Sequence, residues 1–252
     1  MRTAFDEQVR RQPVPGPGGR VERADGVVRV VGGSWAGVTW SALDEDSAAA
    51  AVAAQLARFA GEPGPWEWKH YSYDRPADLP QRLLAAGFVA EPAETLLVAE
   101  VAELALDVVL PAGVELVPVV DERGVRALVR LHDEVFGGDH AALGAGLAAQ
   151  LEQAPDSVAA VLAVAAGAPV AAGRIEFVLG SEFAGLWGGG TLPAWRGRGV
   201  FRALVAHRAA LAAARGFRYL QVDATDDSRP ILRRLGFVEL ATTTPYVHPG
   251  AQ

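Results

Sequence analysis

The chain has 252 residues, half of them hydrophobic, a formal net charge of −7 and no cysteine. This composition is typical of a folded protein with a sizeable core, and the length suits one large domain or two small ones. The lack of cysteine excludes a disulfide framework, a thiolate metal site and a cysteine nucleophile. The negative charge argues against a nucleic-acid binder, which would carry a basic surface.

Neither a signal peptide nor a membrane span is predicted. The N-terminus has no apolar core, and the longest apolar stretch, 157–173, is interrupted by Gly167 and Pro169. A membrane helix needs about 20 apolar residues in succession. We therefore expect a soluble, cytoplasmic protein without a membrane partner.

The first half of the chain predicts a short α/β unit. Residues 12–19, rich in proline and glycine, predict a loop. The predicted strands are 27–31, 35–40, 66–73 and 95–101, and the predicted helices are 48–59 and 79–86.

The second half shows a longer and clearer pattern, in the order βααβββαβαβ. Asp121 is a suitable N-cap for its first helix. The predicted strands are 114–117, 158–164, 170–178, 183–192, 217–224 and 237–247, and the predicted helices are 121–135, 139–153, 199–214 and 228–235.

Two pairs of segments indicate an internal repeat. Residues 35–40 (WAGVTW) are similar to 183–188 (FAGLWG), and residues 82–89 (RLLAAGFV) are similar to 231–238 (ILRRLGFV). The offsets, 148 and 149 residues, are nearly equal. Two related α/β units, joined near residues 106–112, are therefore predicted.

The segment 191–202 (TLPAWRGRGVFR) carries the clearest chemical signal, because a strand leads through glycines and arginines directly into a helix. The first turn of a helix exposes unpaired N–H groups and the positive end of the dipole, which bind phosphate. No lysine is available for a Walker loop, and Arg202 stands where a dinucleotide fingerprint requires glycine. A cofactor pyrophosphate is the predicted ligand; an ordinary turn with solvated arginines is the alternative.

Together with the order of elements, this loop resembles the coenzyme A loop of the GNAT superfamily, the acetyl-CoA-dependent N-acetyltransferases. Their pattern [QR]-x-x-G-x-[GA] is matched by 196–201 (RGRGVF) except at the last position, where Phe201 replaces a small residue. Residues 193–195 (PAW) and 233–237 (RRLGF) match two further landmarks of the family. The resemblance covers about 111–252, and the repeat extends it to the first half.

The resemblance implies a tandem GNAT-like protein with an α/β (α+β layered) fold. Each of its two units would be a mixed, mostly antiparallel sheet flanked by helices. Residues 112–252 would form the acetyl-CoA-binding domain and residues 1–106 a degenerate domain. In the degenerate domain, 44–46 (DED) occupy the place of the phosphate loop and would repel a pyrophosphate.

The resemblance also implies which residues bind acetyl-CoA. Backbone amides of the loop would hold the pyrophosphate, the bulged end of the fourth strand would hold the acetyl-pantetheine arm, and two residues after the next strand would contact that arm. The implied cofactor-binding residues are Gly190, Thr191, Arg196, Gly197, Arg198, Gly199, Val200, Phe201, Arg202, Thr225 and Ser228. No metal is implied.

The implied reaction is direct attack of an amine on the acetyl thioester, which requires a base and an acid. Glu176 is the predicted base, with Glu182 as a second candidate. Tyr246 is the predicted acid, because Leu232 stands where many members carry a tyrosine that protonates the thiolate. A solvated strand glutamate and a core tyrosine are the alternative interpretations of Glu176 and Tyr246.

The histidines do not add to this prediction, since His132 and His140 lack a metal-binding spacing and His207 reads as structural. The acceptor is expected to be an amine of a small molecule or a peptide. Two other interpretations stay open. One is a non-catalytic acyl-CoA-binding or regulatory module, and the other is a first unit that serves as a dimerisation or partner surface, with a homodimer as one form.

Overall fold

The computed structural model of the protein describes residues 1–33, 35–104 and 108–250. Leu106, at the predicted junction, lies outside the described residues, as do Ala251 and Gln252 at the end of the predicted second domain. None of the helices in the described ranges combines the length and the apolar character that a membrane crossing requires.

The elements of the first half follow the predicted order, with short additions at the N-terminus and on either side of the last strand. In chain order they are α1 (Arg2–Phe5), a π-helix (Asp6–Arg10), β1 (Arg20–Ala24), β2 (Val27–Val31), β3 (Gly37–Ser41), α2 (Ala48–Phe59), β4 (Trp66–Tyr71), α3 (Leu79–Ala85), β5 (Val89–Ala90), β6 (Glu94–Glu100) and a 3-10 helix (Val101–Glu103).

The elements of the second half also follow the predicted order. They are β7 (Val114–Val119), α4 (Glu122–Phe136), α5 (Ala141–Gln153), a 3-10 helix (Pro155–Ser157), β8 (Val158–Ala165), β9 (Ala168–Phe177), β10 (Phe183–Thr191), a 3-10 helix (Pro193–Trp195), α6 (Val200–Ala214), β11 (Tyr219–Ala224), α7 (Arg229–Arg234) and β12 (Val238–His248).

The chain divides into two compact units that are not continuous in sequence. The first unit contains Met1–Leu96, Asp223–Asp227 and the residues described from Glu239 onward, and the second contains Leu97–Val222 and Ser228–Val238. Two segments that the sequence places in the second domain, 223–227 and 239–250, therefore group with the first unit.

In the first unit the strands lie in the order β1-β2-β3-β4-β12, and β5 pairs with β12. The pair β3–β4 is parallel and the other pairs are antiparallel. Helix α2 places an alanine-rich face and Phe59 on the core, where the Phe59 ring stacks on Trp66 at 4.1 Å between centroids. Tyr246 of β12 belongs to the same core.

In the second unit the strands lie in the order β11-β10-β9-β8-β7, and β10–β11 is its parallel pair. Alternate residues of β8 face opposite sides of the sheet. Ala160 and Leu162 pack with helices α4 and α5, whereas Val161 and Ala163 pack with Val200 and Leu204 of α6. The predicted mixed, mostly antiparallel sheet flanked by helices is confirmed.

Helix α4 begins and ends where its sequence predicts. Gly124 N donates to the Asp121 side chain at 2.8 Å, which satisfies one of the free N–H groups of the first turn. The helix ends at Gly137, whose φ of +74° suits glycine. Its last two turns carry His132 and Phe136 toward the end of β10.

Candidate active site

The segment after β10 forms an open, positively charged helix N-terminus. Gly197 and Gly199 have φ of +73° and +87°, and a Cβ at either would meet nothing within 4 Å. Gly199 is the N-cap of α6 and supplies no side-chain hydrogen bond, so the first amides of the helix have no side-chain cap. Arg196, Arg198 and Arg202 are exposed beside them. The predicted loop therefore has the geometry of an anion site.

The strand that leads into this loop contains a β-bulge. The β9–β10 register is interrupted between Trp187 and Gly190. A bulge removes backbone groups from the ladder, so their hydrogen bonds must be made elsewhere. In this protein two side chains, one on each face of the sheet, supply donors to the carbonyl groups of the bulge.

On the α4 face the donor is His132, which is 2% exposed. Its Nε2 lies 3.0 Å from Gly188 O, and because a carbonyl only accepts, Nε2 carries the proton. A Cβ at Gly188 would lie 2.7 Å from the ring. The Arg174 side chain stands on this face too, because its Nη1 would be 3.2 Å from the same Cβ.

On the α6 face the donor is Arg208, which is 1% exposed. Its Nε donates to Leu204 O at 3.0 Å, and its Nη1 donates to Arg174 O at 3.0 Å and to Trp187 O at 3.4 Å. No carboxylate pairs with it among the described residues. Burial, with a smaller contribution from Arg174, lowers the pKa of Arg208 to about 10. A full positive charge is thus held beneath the bulge by carbonyl groups.

Two features mark the end of β10. The Thr191 hydroxyl is buried and has no hydrogen-bond partner among the described residues, an arrangement that is costly unless a ligand completes it. Gly190 is buried, and a Cβ there would come within 2.9 Å of Phe136 and Val135. An unpaired hydroxyl and a strand end without side chains precede the anion site directly in the chain.

The predicted base lies near the bulge on the α4 face of the sheet. Glu176 follows Arg174 by two residues on β9, and its side chain is 34% exposed while Ile175 and Phe177 are buried. Its Oε1 accepts a hydrogen bond from Arg174 Nε at 3.0 Å. Glu182 lies 3.7 Å from Arg218 in an exposed ion pair.

The remaining predicted residues divide between the two units. Ser228 belongs to the second unit, where it is the N-cap of α7. Phe201 lies against Gly189, because a Cβ added at Gly189 would be 3.0 Å from the Phe201 ring. Thr225 and Tyr246 belong to the first unit. Burial raises the pKa of Tyr246, so its hydroxyl keeps its proton at neutral pH.

The first unit contains an acid-lined cavity of about 550 Å³. Four carboxylates contribute to its wall, together with Thr225 and Pro245. The carboxylates are those of Glu91, Glu94, Asp226 and Asp227. Behind them Lys69 pairs with Glu94 at 3.4 Å and with the buried Asp223 at 3.2 Å. Among the described residues no cluster of His, Asp and Glu has the arrangement of a metal site.

Acidification is expected to weaken the fold through His132. Burial lowers the pKa of His132 below its ordinary value of 6.5, so the unfolded chain binds a proton at pH values where the folded chain does not. The free energy of unfolding should therefore fall as the pH decreases below 6.5. Urea unfolding at pH 7 and pH 5.5 of the wild type and of His132→Gln measures this. An identical pH dependence in both proteins would contradict it.

Sequence reasoning found the loop but missed His132, Arg208 and His140. An arginine in the middle of a helix is usually exposed. His132 and His140 lie on either side of the end of α4, so no single helix or strand periodicity relates them. One signal was available, since Gly137 and Gly138 allow the chain to reverse after α4 and bring His140 back toward Asp133.

Sequence comparison finds a family match in the second half of the chain. The model of the Acetyltransferase (GNAT) family matches residues 125–237, a range that includes the loop, the bulge and both donors. A search of curated proteins found no match.

Solved structures share the fold over nearly the whole chain. A GCN5-related N-acetyltransferase from Kribbella flavida has a TM-score of 0.70 at 21% identity, covering 99% of this chain and 94% of that chain. A GCN5-related N-acetyltransferase from Sphaerobacter thermophilus has a TM-score of 0.60 at 14% identity, covering 92% and 84%. A tandem GNAT protein from the clavulanic acid biosynthesis pathway has a TM-score of 0.59 at 17% identity, covering 95% and 85%.

Proposed function

We propose that the protein transfers the acetyl group of acetyl-CoA to a primary amine, because residues 125–237 match the model of the Acetyltransferase (GNAT) family. The acceptor is a small molecule or a peptide, and the transfer is by direct attack of the amine nitrogen. The negative charge of the protein favours a cationic acceptor. We place this activity in the cytoplasm, in a protein of two GNAT-like units.

The observation that supports this proposal best is the open N-terminus of α6. Its first amides have no side-chain cap, two positive-φ glycines leave room before it, and three exposed arginines surround it. Together they fit a pyrophosphate, which carries negative charge and needs several N–H donors. The residues that would hold the pyrophosphate are those of the segment 196–202.

The thioester that coenzyme A supplies would lie along the end of β10. We propose that the pantetheine arm runs past Gly190, where Phe136 packs closely on the strand, and that the unpaired Thr191 hydroxyl donates to it. Ser228, and Thr225 of the first unit, are proposed as further contacts to the arm. The base is Glu176 by the sequence prediction, and the acid is Tyr246, whose hydroxyl stays protonated.

Acetyl-CoA is expected to raise the melting temperature of the protein, and Arg196→Glu should abolish the rise. A ligand at 100 times its dissociation constant that binds only the folded state stabilises it by about 2.7 kcal/mol. In a protein of this length that corresponds to roughly 5–10 °C. Thermal unfolding with and without acetyl-CoA measures the shift.

The matched control is Arg126→Glu, which reverses an exposed arginine on α4, paired only with Glu122, away from the loop. This variant should keep the full shift. If wild-type protein shows no shift at millimolar acetyl-CoA, the proposed cofactor is wrong. If it shifts, a panel of primary amines with thiol release as the readout identifies the acceptor.

One observation favours a different function, that of an acyl-CoA-binding regulatory module. Leu232 is 1% exposed and has no ionisable group, and it stands at the position where many GNAT proteins have the tyrosine that protonates the thiolate. Such a module would bind acetyl-CoA at the same loop without turnover. Thiol release in the presence of amines distinguishes the two, because a regulator would show the thermal shift and no release.

A further inference from the structure

His140 and Asp133 form a hydrogen-bonded pair at the C-terminal end of α4. Asp133 Oδ1 accepts two hydrogen bonds from His140, one from its backbone N and one from its Nδ1, both at 2.9 Å. Two glycines of positive φ, Gly137 and Gly138, turn the chain back so that this contact forms. The imidazole is thus fixed at both its backbone and its side chain.

This geometry sets the tautomer of His140. The two hydrogen bonds lower the pKa of Asp133, so it is an ionised carboxylate that only accepts. The proton of a neutral His140 therefore lies on Nδ1, and the lone pair on Nε2 is free. No described residue contacts Nε2 with a hydrogen bond, and the side chain is 24% exposed. A carboxylate behind Nδ1 with a free Nε2 is the arrangement of a general base.

The pair stands beside the bulge. The His140 ring meets the His132 ring edge-on at 5.6 Å between centroids, and His132 contacts Gly188 O. The Phe136 ring lies 6.1 Å from His140 and covers Gly190. Phe136 is 53% exposed, although it is large and apolar. An accessible imidazole and an apolar wall thus border the strand end that we propose for the thioester.

The charged groups around His140 favour it over Glu176 as the base. Asp133 and Asp139 lie beside it; the Asp139 carboxylate accepts from Ala141 N, and His132 is buried and neutral at pH 7. Arg174, on the same face, is engaged by Glu176 at 3.0 Å. Glu176 is thus held in an ion pair with Arg174, whereas the Nε2 of His140 has no hydrogen-bond partner among the described residues.

We infer that His140, oriented by Asp133, is the catalytic base that accepts the proton of the acceptor ammonium group; this inference rests on the proposed acetyl transfer. Nε2 takes one proton from the ammonium group, and the neutral nitrogen forms its bond to the thioester carbon as the carbon–sulfur bond breaks. The nitrogen then loses its second proton, and the departing thiolate takes up one proton, so that coenzyme A leaves as the thiol. His140 finally releases to water the proton that it took from the ammonium group.

His140→Asn tests this role, because asparagine still donates to Asp133 and is a good N-cap for α5, but it has no basic nitrogen. We expect kcat for an alkylamine of the panel to fall at least 100-fold, with the acetyl-CoA dissociation constant within threefold. In Asp133→Asn, which keeps an acceptor oxygen but loses the charge, kcat should fall while the acetyl-CoA dissociation constant stays within threefold. His207→Gln, on α6, is the matched histidine control and should behave as wild type.

A second measurement does not depend on the acceptor. In ¹⁵N-histidine-labelled protein, His140 should show the Nδ1–H tautomer, and its signals should shift when acetyl-CoA is added. A His140→Asn variant within threefold of wild-type kcat, a 100-fold loss in Glu176→Gln alone, the Nε2–H tautomer, or His140 signals unmoved by bound acetyl-CoA would each overturn the inference. Absence of acetyl-CoA binding to the wild type would instead overturn the proposed function.

Discussion

Arg208→Met is expected to lower the rate of acetyl transfer by about 100-fold while leaving acetyl-CoA affinity within threefold. Arg208 donates to Arg174 O and Trp187 O, the last residues in register before the bulge. Without these bonds the bulge moves, and a displacement of about 1 Å at reacting groups costs on the order of 100-fold in rate. The anion loop at 196–202 is unchanged, so binding should persist. Thiol release and calorimetric titration measure the two quantities.

The same substitution should change stability little, because two large effects oppose each other. The lowering of the pKa of Arg208 from 12.5 to about 10 means that its burial as a cation costs about 3 kcal/mol, which methionine removes. Against this, the sheet carbonyl groups of Arg174 and Trp187 lose a donor, at a cost of about 1–3 kcal/mol each. We expect a net change in urea unfolding between a gain of about 1 kcal/mol and a loss of about 3 kcal/mol. Arg215→Met, an exposed arginine after the same helix, is the control; normal turnover in Arg208→Met would refute the role.

Gly173→Ala is expected to destabilise the second unit by about 2 kcal/mol, although alanine is ordinarily well tolerated. A Cβ at Gly173 would lie 2.8 Å from both Cζ and Nη1 of Arg208. Arg208 is fully buried and held by three carbonyls, so it has no space to move aside, and overpacking of this kind costs roughly 1–3 kcal/mol. Urea unfolding followed by circular dichroism measures the loss.

The close approach of a Cβ at Gly173 to Arg208 predicts that the effects of Gly173→Ala and Arg208→Met on stability are coupled. Methionine at position 208 is flexible and unbranched, so the double variant Gly173→Ala/Arg208→Met should recover most of the stability that Gly173→Ala loses. Gly61→Ala is the matched control, because a Cβ at Gly61 meets nothing within 4 Å and its φ is not in the left-handed region. Additive effects in the double variant would show that Arg208 is not the group that Gly173 accommodates.

The second half of the fold could be predicted because its signals are local. Asp121 caps α4 as its sequence indicates, Gly199 begins α6, and the alternation around Glu176 gives the correct exposed face. The mixed, mostly antiparallel sheet was implied by the resemblance to the GNAT superfamily, to which the loop and the order of elements point. A loop that binds through its backbone depends on glycines and on its position before a helix, and both are visible in sequence.

The N-terminal additions could not be predicted because they depend on distant charges. β1 carries Arg20, Glu22 and Arg23, and no strand was predicted there. In the structure Glu22 accepts hydrogen bonds from Arg29 at 2.9 Å and from Arg58 at 2.7 and 2.8 Å. Likewise the π-helix is fixed by Arg10, which binds Asp74, 64 residues away. Tertiary ion pairs of this kind leave no periodic pattern.

The site could be predicted only where it consists of backbone. His140 acts with Asp133 across a turn, and Arg208 acts beneath a bulge whose shift of register no sequence pattern announces. In both cases the sequence shows which residue is present but does not show what surrounds it in the fold. The tertiary structure decides that one imidazole is oriented and that one guanidinium is buried.

The discontinuous first unit has a consequence for making and dissecting this protein. Its strand β4 pairs with β12, and Tyr246 completes its core, so no single cut in the chain releases a complete first unit. A fragment that ends at residue 106 would expose the edge of β4 and the core beside it. On the ribosome, too, the unit that is synthesised first stays unfinished until residue 248 has left the exit tunnel, after the second unit has emerged.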